Sequence, residues 1–173
     1  MTSSSHGLKE LPDFDPAALL ERLVKGGVEF VVVGGVAATA HGSASFTQDL
    51  DITYAPDAEN VDRLGEVLVS LGARLRGVTD DVPFIPDGRT LQRTRVLTLE
   101  TPLGLINLLA QPDGAPVYGE LRSRAERDVI AGVEVAYASL EDLIAMKKAA
   151  GRPKDLVAVE ELEAIRRILR ELS

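Results

Sequence analysis

The run Val28–Val33 is rich in β-branched residues and stops at two glycines, Gly34-Gly35. A strand of that character is expected to be covered on both faces, so the rest of the chain has to supply the cover. It has the material: 45% of its 173 residues are hydrophobic. That length suits one domain with its own core and sets aside wholesale disorder. Cysteine is absent, which removes disulfides and thiolate metal sites and fits a reducing compartment.

The elements around that strand follow from local signals. Asp15-Pro16 starts a helix with a capping acid and a proline at the first position. Leu19, Leu20 and Leu23 mark its apolar face, and Gly26-Gly27 stops it. Val36–His41 makes a short helix ending at Gly42. Asp49–Tyr54 alternates polar and apolar residues as a strand does, and Val61, Leu64, Val67, Leu68 and Leu71 recur at helical spacing up to Gly72. Residues 78–93 are rich in Asp, Pro and Gly and read as loop. Arg95–Thr101 and Gly104–Gln111 form two strands joined at Thr101-Pro102-Leu103-Gly104. A helix over Tyr118–Glu126 and a strand over Val133–Ala138 come next. Ser139 with Asp142 opens a further helix in the manner of a capping box, Gly151 ends it, and Pro153 starts the last. In that last helix Leu156, Val159, Leu162, Ile165, Leu169 and Leu172 share one face. The order is αβαβαβββ-like followed by two helices, with residues 1–12 as a flexible tail and 13–173 as a single domain.

Charge and hydropathy narrow the function classes. Nineteen basic against 27 acidic residues give a net charge of −8. Affinity for nucleic acid in general comes mainly from neutralising phosphates, so general DNA binding is not expected. Small basic groups remain that suit one nucleotide or one RNA end: Arg74, Arg76, Arg89, Arg93 and Arg95, and the tighter Lys147, Lys148, Arg152 and Lys154. No apolar run approaches the roughly 20 residues that cross a bilayer, and Met1–Pro12 lacks the apolar centre of a signal peptide. A cytoplasmic protein is expected.

Two motifs carry chemistry. Residues two apart in a strand point to the same face, so Asp49 and Asp51 project side by side while Leu50 enters the core. Two carboxylates so placed repel unless a cation lies between them, and a hard divalent ion such as Mg²⁺ satisfies the arrangement while keeping positions free for triphosphate oxygens. Gly34-Gly35 supply backbone amides without side chains where a strand becomes a helix, a place suited to phosphates. A D-x-D alone is common, and Gly-Gly after a strand is usually only a turn. The combination of strand, Gly-Gly, short helix, His-Gly and TQDLDI is far less common.

The run VVVGGVAATAHGSASFTQDLDI resembles the glycine-rich and D-x-D signature of minimal nucleotidyltransferases of the DNA polymerase β superfamily, particularly the branch of AbiEii-type toxins. The similarity continues through GLINLLAQ and LEDLIAMKKAAGRPKDL, over roughly residues 28–170. It implies an α/β (α+β type) fold: a mixed β-sheet flanked by helices, with C-terminal helices. It also implies transfer of a nucleoside monophosphate from an NTP to a hydroxyl acceptor (a tRNA or other RNA end, a partner protein or a small molecule), with a possible place in a toxin–antitoxin pair. Asp49 and Asp51 would hold Mg²⁺ or Mn²⁺, with Gly34 and Gly35 near the nucleotide phosphates. Lys147 or Lys148 and Asp155 would approach the nucleotide.

The chain departs from that pattern at three places. Where relatives carry a third catalytic carboxylate it has Asn107, which offers a carbonyl oxygen but neither charge nor a general base. Ser45 stands where an arginine is common, and Ala158 where an acid is. If the hairpin turns at Pro102-Leu103, Thr98 faces Asn107 and Glu100 lies diagonally on the same face, either as a substitute base or as an ordinary exposed strand residue. Lys147 and Lys148 suit a phosphate contact or a solvated helix face; Arg152 and Lys154 suit the same contact or a basic helix junction. His41 either caps its short helix or touches a nucleotide. The departures keep a second function open, a catalytically impaired nucleotide-binding or protein-binding module of the same fold.

Overall fold

A computed structural model describes residues 13–77 and 87–173; the tail expected at 1–12 lies outside the described residues. The acid–proline start is realised, with Asp15 Oδ1 accepting from the Ala18 N–H at 3.0 Å and Pro16 opening α1 (Pro16–Lys25). Leu19, Leu20 and Leu23 are fully buried on it. The first strand, β1 (Phe30–Val33), is buried at every residue but starts two residues later than expected. Upstream of it the buried Asn60 side chain accepts from the Glu29 N–H (2.7 Å) and donates to the Glu29 carbonyl (2.9 Å).

After α2 (Gly34–Ala40) and β2 (Asp49–Tyr54) comes α3 (Ala58–Ser70), capped by Asp57. Then follow β3 (Arg74–Leu75), α4 (Gly88–Gln92), β4 (Val96–Thr101) and β5 (Gly104–Leu109). The chain closes with α5 (Tyr118–Arg124), β6 (Glu126–Ile130), β7 (Val133–Tyr137), α6 (Leu140–Ala150) and α7 (Pro153–Leu172). In α6 the Ser139 hydroxyl accepts from the Asp142 N–H at 3.1 Å, and Gly151 ends the helix in the left-handed region at φ 65°.

Among the described residues one seven-stranded sheet runs β3-β4-β5-β2-β1-β7-β6. It is mixed: β2 pairs parallel with β5 and antiparallel with β1, and β1 pairs parallel with β7. Helix α1 packs with α3 and against β2 and β7, while α2 meets α6 and α6 meets α7. This is the expected mixed sheet flanked by helices, with two C-terminal helices.

Three expectations are corrected. Glu126 belongs to a strand and not to the preceding helix, because β6 is an edge strand whose hairpin to β7 turns at Ala131-Gly132, both with positive φ. An exposed edge carries no apolar alternation to announce it. Part of the stretch read as loop forms α4, started by Asp87, whose carboxylate accepts from the Thr90 N–H at 3.0 Å. Of the apolar stripe on α7 only Val159 and Leu162 are buried, whereas Leu156, Leu169 and Leu172 are exposed by 52%, 49% and 79%. A 20-residue helix spans about 30 Å and its 11-residue partner α6, joined to it by only Gly151-Arg152, about half that, so the C-terminal end of the stripe outreaches its cover.

Candidate active site

Strand alternation places the two acids as expected: Leu50 is fully buried on one side of β2, and Asp49 and Asp51 are half-buried on the other. Register makes a row across four strands. Val33 of β1 lies opposite Asp51, Asp51 opposite Asn107 of β5, and Asn107 opposite Thr98 of β4. The expected hairpin pairing therefore holds, and Glu100 lies opposite Leu105, which lies opposite Asp49.

Gly34 follows Val33 directly, so its backbone reaches Asp51. Its φ is +66°, and a Cβ built there would collide with Asp51 Oδ2 and lie 2.8 Å from Cγ. Conformation and space both demand glycine. A Cβ on Gly35 would stand 2.8 Å from Thr47 Oγ1, and that hydroxyl lies 3.2 Å from the Asp49 carbonyl and 3.4 Å from Asp49 Oδ1. The two glycines thus bring the β1–α2 turn against the acid pair. Val33, at the N-cap of α2, places no side chain on the first-turn amides.

Asn107 joins the acids. Its Nδ2 donates to Asp49 Oδ2 at 2.8 Å and to Asp51 Oδ1 at 2.6 Å. Burial pushes the Asp51 carboxyl up from 3.8 to about 6; the Asn107 hydrogen bond opposes that, the neighbouring Asp49 charge adds to it, and Lys147 and Lys154 oppose it. The donor set is two carboxylates and one amide, since among the described residues no three His, Cys, Asp or Glu side chains come together as a metal site. Two hard carboxylates converging on one nitrogen fit an oxygen-seeking divalent ion that keeps ligand positions free.

Asp51 and Gly34 open into a cavity of about 490 Å³. Val33, Val96, Leu109, Pro112, Leu143 and Met146 give it an apolar wall; Arg95, Lys147, Arg152, Asp113 and Asp155 bring charge. Asp155 is 99% buried at the third position of α7 and binds two cations: Arg152 Nε donates to its Oδ2 at 2.7 Å, and Lys147 Nζ stands 3.6 Å from its Oδ1. The Arg152 bond holds the Asp155 carboxyl below its ordinary range. Lys147 is therefore fixed in the cavity wall by an acid that itself faces two cations. Lys148 points elsewhere, to Glu163 Oε1 at 3.0 Å, and does not line the cavity.

The remaining candidates have other partners. His41 Nε2 lies 2.8 Å from the Ala138 carbonyl and its ring meets Tyr137 edge-on, so it ties the end of α2 to the end of β7. Ser45 donates to Glu161 Oε2 at 3.1 Å while the Ala44 N–H reaches Oε1 at 2.9 Å, and hydrogen bonds from Ser43, Ala44 and Ser45 hold the Glu161 carboxyl low. Helix α7 thereby fastens the loop that carries Thr47 toward Asp49. Sequence reasoning missed Glu161 and most of the cavity wall, for Glu161 acts across 116 residues and the wall residues look like ordinary core.

The mixed seven-stranded sheet flanked by helices, with two helices closing the chain, is a nucleotidyltransferase-like fold. Solved structures share it. The solution structure of the antibiotic-resistance factor ANT(2'')-Ia superposes with a TM-score of 0.54 at 19% identity, covering 90% of this chain and 91% of that one. The lincosamide antibiotic adenylyltransferase LnuA, solved with lincomycin, gives 0.59 at 14% identity over 88% of this chain and 99% of that one. An antigenic nucleotidyltransferase-like protein from Paracoccidioides brasiliensis gives 0.53 at 18% identity over 88% and 73%. No protein-family model matches the chain, and no curated protein matches it by sequence.

Proposed function

We propose that the chain is a metal-dependent nucleotidyltransferase. The observation that carries this is the convergence of the Gly34 backbone, the Asp51 carboxylate and Lys147 on one cavity of nucleotide size, about 490 Å³. In the proposed reaction an acceptor hydroxyl oxygen bonds to the α-phosphorus of an NTP. The bond to the β-phosphate bridge breaks, and pyrophosphate leaves. Asp49 and Asp51 would hold Mg²⁺ or Mn²⁺, which when bound neutralises charge developing on the phosphates. Gly34 and Gly35 let phosphate oxygens approach backbone amides, and Lys147 supplies a point charge to the triphosphate. Asn107 cannot take the hydroxyl proton, so the proton passes to solvent or to a carboxylate of the pair.

Two of the structural neighbours are an adenylyltransferase bound to lincomycin and ANT(2'')-Ia bound to adenylyl-2''-tobramycin, which makes a hydroxylated small molecule a natural acceptor to try beside RNA ends and proteins. A toxin–antitoxin setting in the cytoplasm rests on the AbiEii-like motifs alone. The test is incubation with each α-labelled NTP, Mg²⁺ or Mn²⁺, and RNA, lysate protein and aminoglycoside or lincosamide acceptors. Label moving to an acceptor from wild type and not from Asp51→Asn supports transfer; no label from any NTP, beside an active control enzyme, refutes it.

The Asn107 amide favours a second function, a module that binds nucleotide without turnover. Calorimetry with a non-hydrolysable NTP analogue and Mg²⁺ separates the two, since binding without label transfer supports the module.

A further inference from the structure

Each N–H of the Asn107 amide has its own acceptor, Asp49 Oδ2 at 2.8 Å and Asp51 Oδ1 at 2.6 Å. The nitrogen therefore stands between the two carboxylates and bridges them as a cation would. An amide is planar, with its oxygen on the other side of Cγ. While the nitrogen holds the pair, the oxygen that could ligate a metal faces away from it.

We infer that Asn107 is a latch on the acid pair: its amide competes with a divalent ion for the same carboxylate oxygens. The inference rests on the metal-binding role proposed above for Asp49 and Asp51. Hydrogen bonds from an amide to a carboxylate are charge-assisted and strong, and here both donors are satisfied at once in a partly buried place. Loading has to break both bonds and turn the amide about its terminal side-chain torsion. An aspartate at 107 would repel the pair where the amide attracts it, so an ordinary third carboxylate has no such resting arrangement. Free metal then binds weakly, and an ion arriving with a triphosphate, whose phosphates gain contacts with Gly34 and Lys147, has the additional attraction needed to displace the amide.

The latch makes an unusual demand on Asn107→Ala. Alanine supplies no ligand, so a residue that served only as a ligand would lose metal affinity when truncated. A latch would not. Free Mn²⁺ is titrated into wild type, Asn107→Ala and Asn107→Asp and followed by the paramagnetic resonance of unbound ion, with thermal melts in EDTA alongside. The expected result is Mn²⁺ binding to Asn107→Ala at least as tight as to wild type, together with a lower melting temperature in EDTA. Asn107→Asp is expected to bind about tenfold or more tighter, a carboxylate being the better hard-ion ligand, and also to melt lower in EDTA. Weaker Mn²⁺ binding by Asn107→Ala than by wild type overturns the latch and leaves the metal pair standing. Unchanged melting in EDTA for Asn107→Ala overturns it as well. If no variant takes up Mn²⁺, Asn107→Asp included, the metal pair itself is refuted and the latch falls with it.

Discussion

Removing the charge at Asp51 is predicted to stabilise the protein, and only at neutral and alkaline pH. Asp51 is half-buried, and burial pushes its carboxyl up from 3.8 to about 6. A carboxyl with a raised folded-state pKa contributes stability that is fully present below 3.8 and lost as pH rises through about 6. Above pH 7 the ionised group therefore weighs against the fold. The displacement of about 2 pH units, at about 1.4 kcal/mol each, corresponds to about 3 kcal/mol as a ceiling. Asn at this position keeps the shape and can still accept from Asn107, while giving up the stronger charge-assisted bond; about 1–2 kcal/mol should remain. Urea unfolding of wild type and Asp51→Asn in EDTA at pH 4, 6 and 8 measures it. We expect the two proteins to be close at pH 4 and the variant to be more stable by about 1–2 kcal/mol at pH 8, a rise of roughly 2–8 °C in Tm. A gap that does not change with pH, or a variant less stable at pH 8, would refute the assignment of the burial cost to this carboxylate.

Three more outcomes are expected. Gly34→Ala should cost at least about 1–2 kcal/mol from its positive φ alone, with more from the collision against Asp51, and should abolish nucleotide binding; a melt unchanged from wild type would contradict the close approach. Lys147→Ala should weaken NTP-analogue binding by about tenfold or more, whereas Lys148→Ala, which loses only an exposed pair with Glu163, should leave it unchanged within error by calorimetry. Asp155→Ala should destabilise by about 2–4 kcal/mol, because a buried acid serving Arg152 and Lys147 is lost, and should weaken analogue binding through the freed Lys147; urea unfolding and calorimetry check the two parts.

How legible the molecule was in its sequence depended on where the constraint lay. Helix α1 could be read from Asp15-Pro16 and three leucines, and β2 from its alternation, because those signals are local. The pairing of Thr98 with Asn107 followed from one turn. Strand β6 could not be read, since an exposed edge has no apolar pattern, and the stripe on α7 misled because periodicity does not say how long the partner helix is. In the site, strand period put Asp49 and Asp51 on one face. Only the three-dimensional arrangement distinguishes Lys147 from Lys148, neighbours in sequence that leave the helix in different directions. The same holds for Asp155, expected beside a nucleotide, whose bonds run to Arg152 and Lys147, and for the bridging amide of Asn107, which a sequence records only as a missing acid.

If the proposed function holds, Asp49 and Asp51 bind a nucleoside triphosphate through a divalent ion. Calorimetric titration of wild type with a non-hydrolysable NTP analogue, with Mg²⁺ and again with EDTA, tests it most directly when repeated on Asp49→Asn and Asp51→Asn. Wild type should bind saturably and only with Mg²⁺, and either substitution should weaken binding tenfold or more, roughly 1.4 kcal/mol or greater. Binding that is equally tight in EDTA, or unaffected by both substitutions, would contradict it.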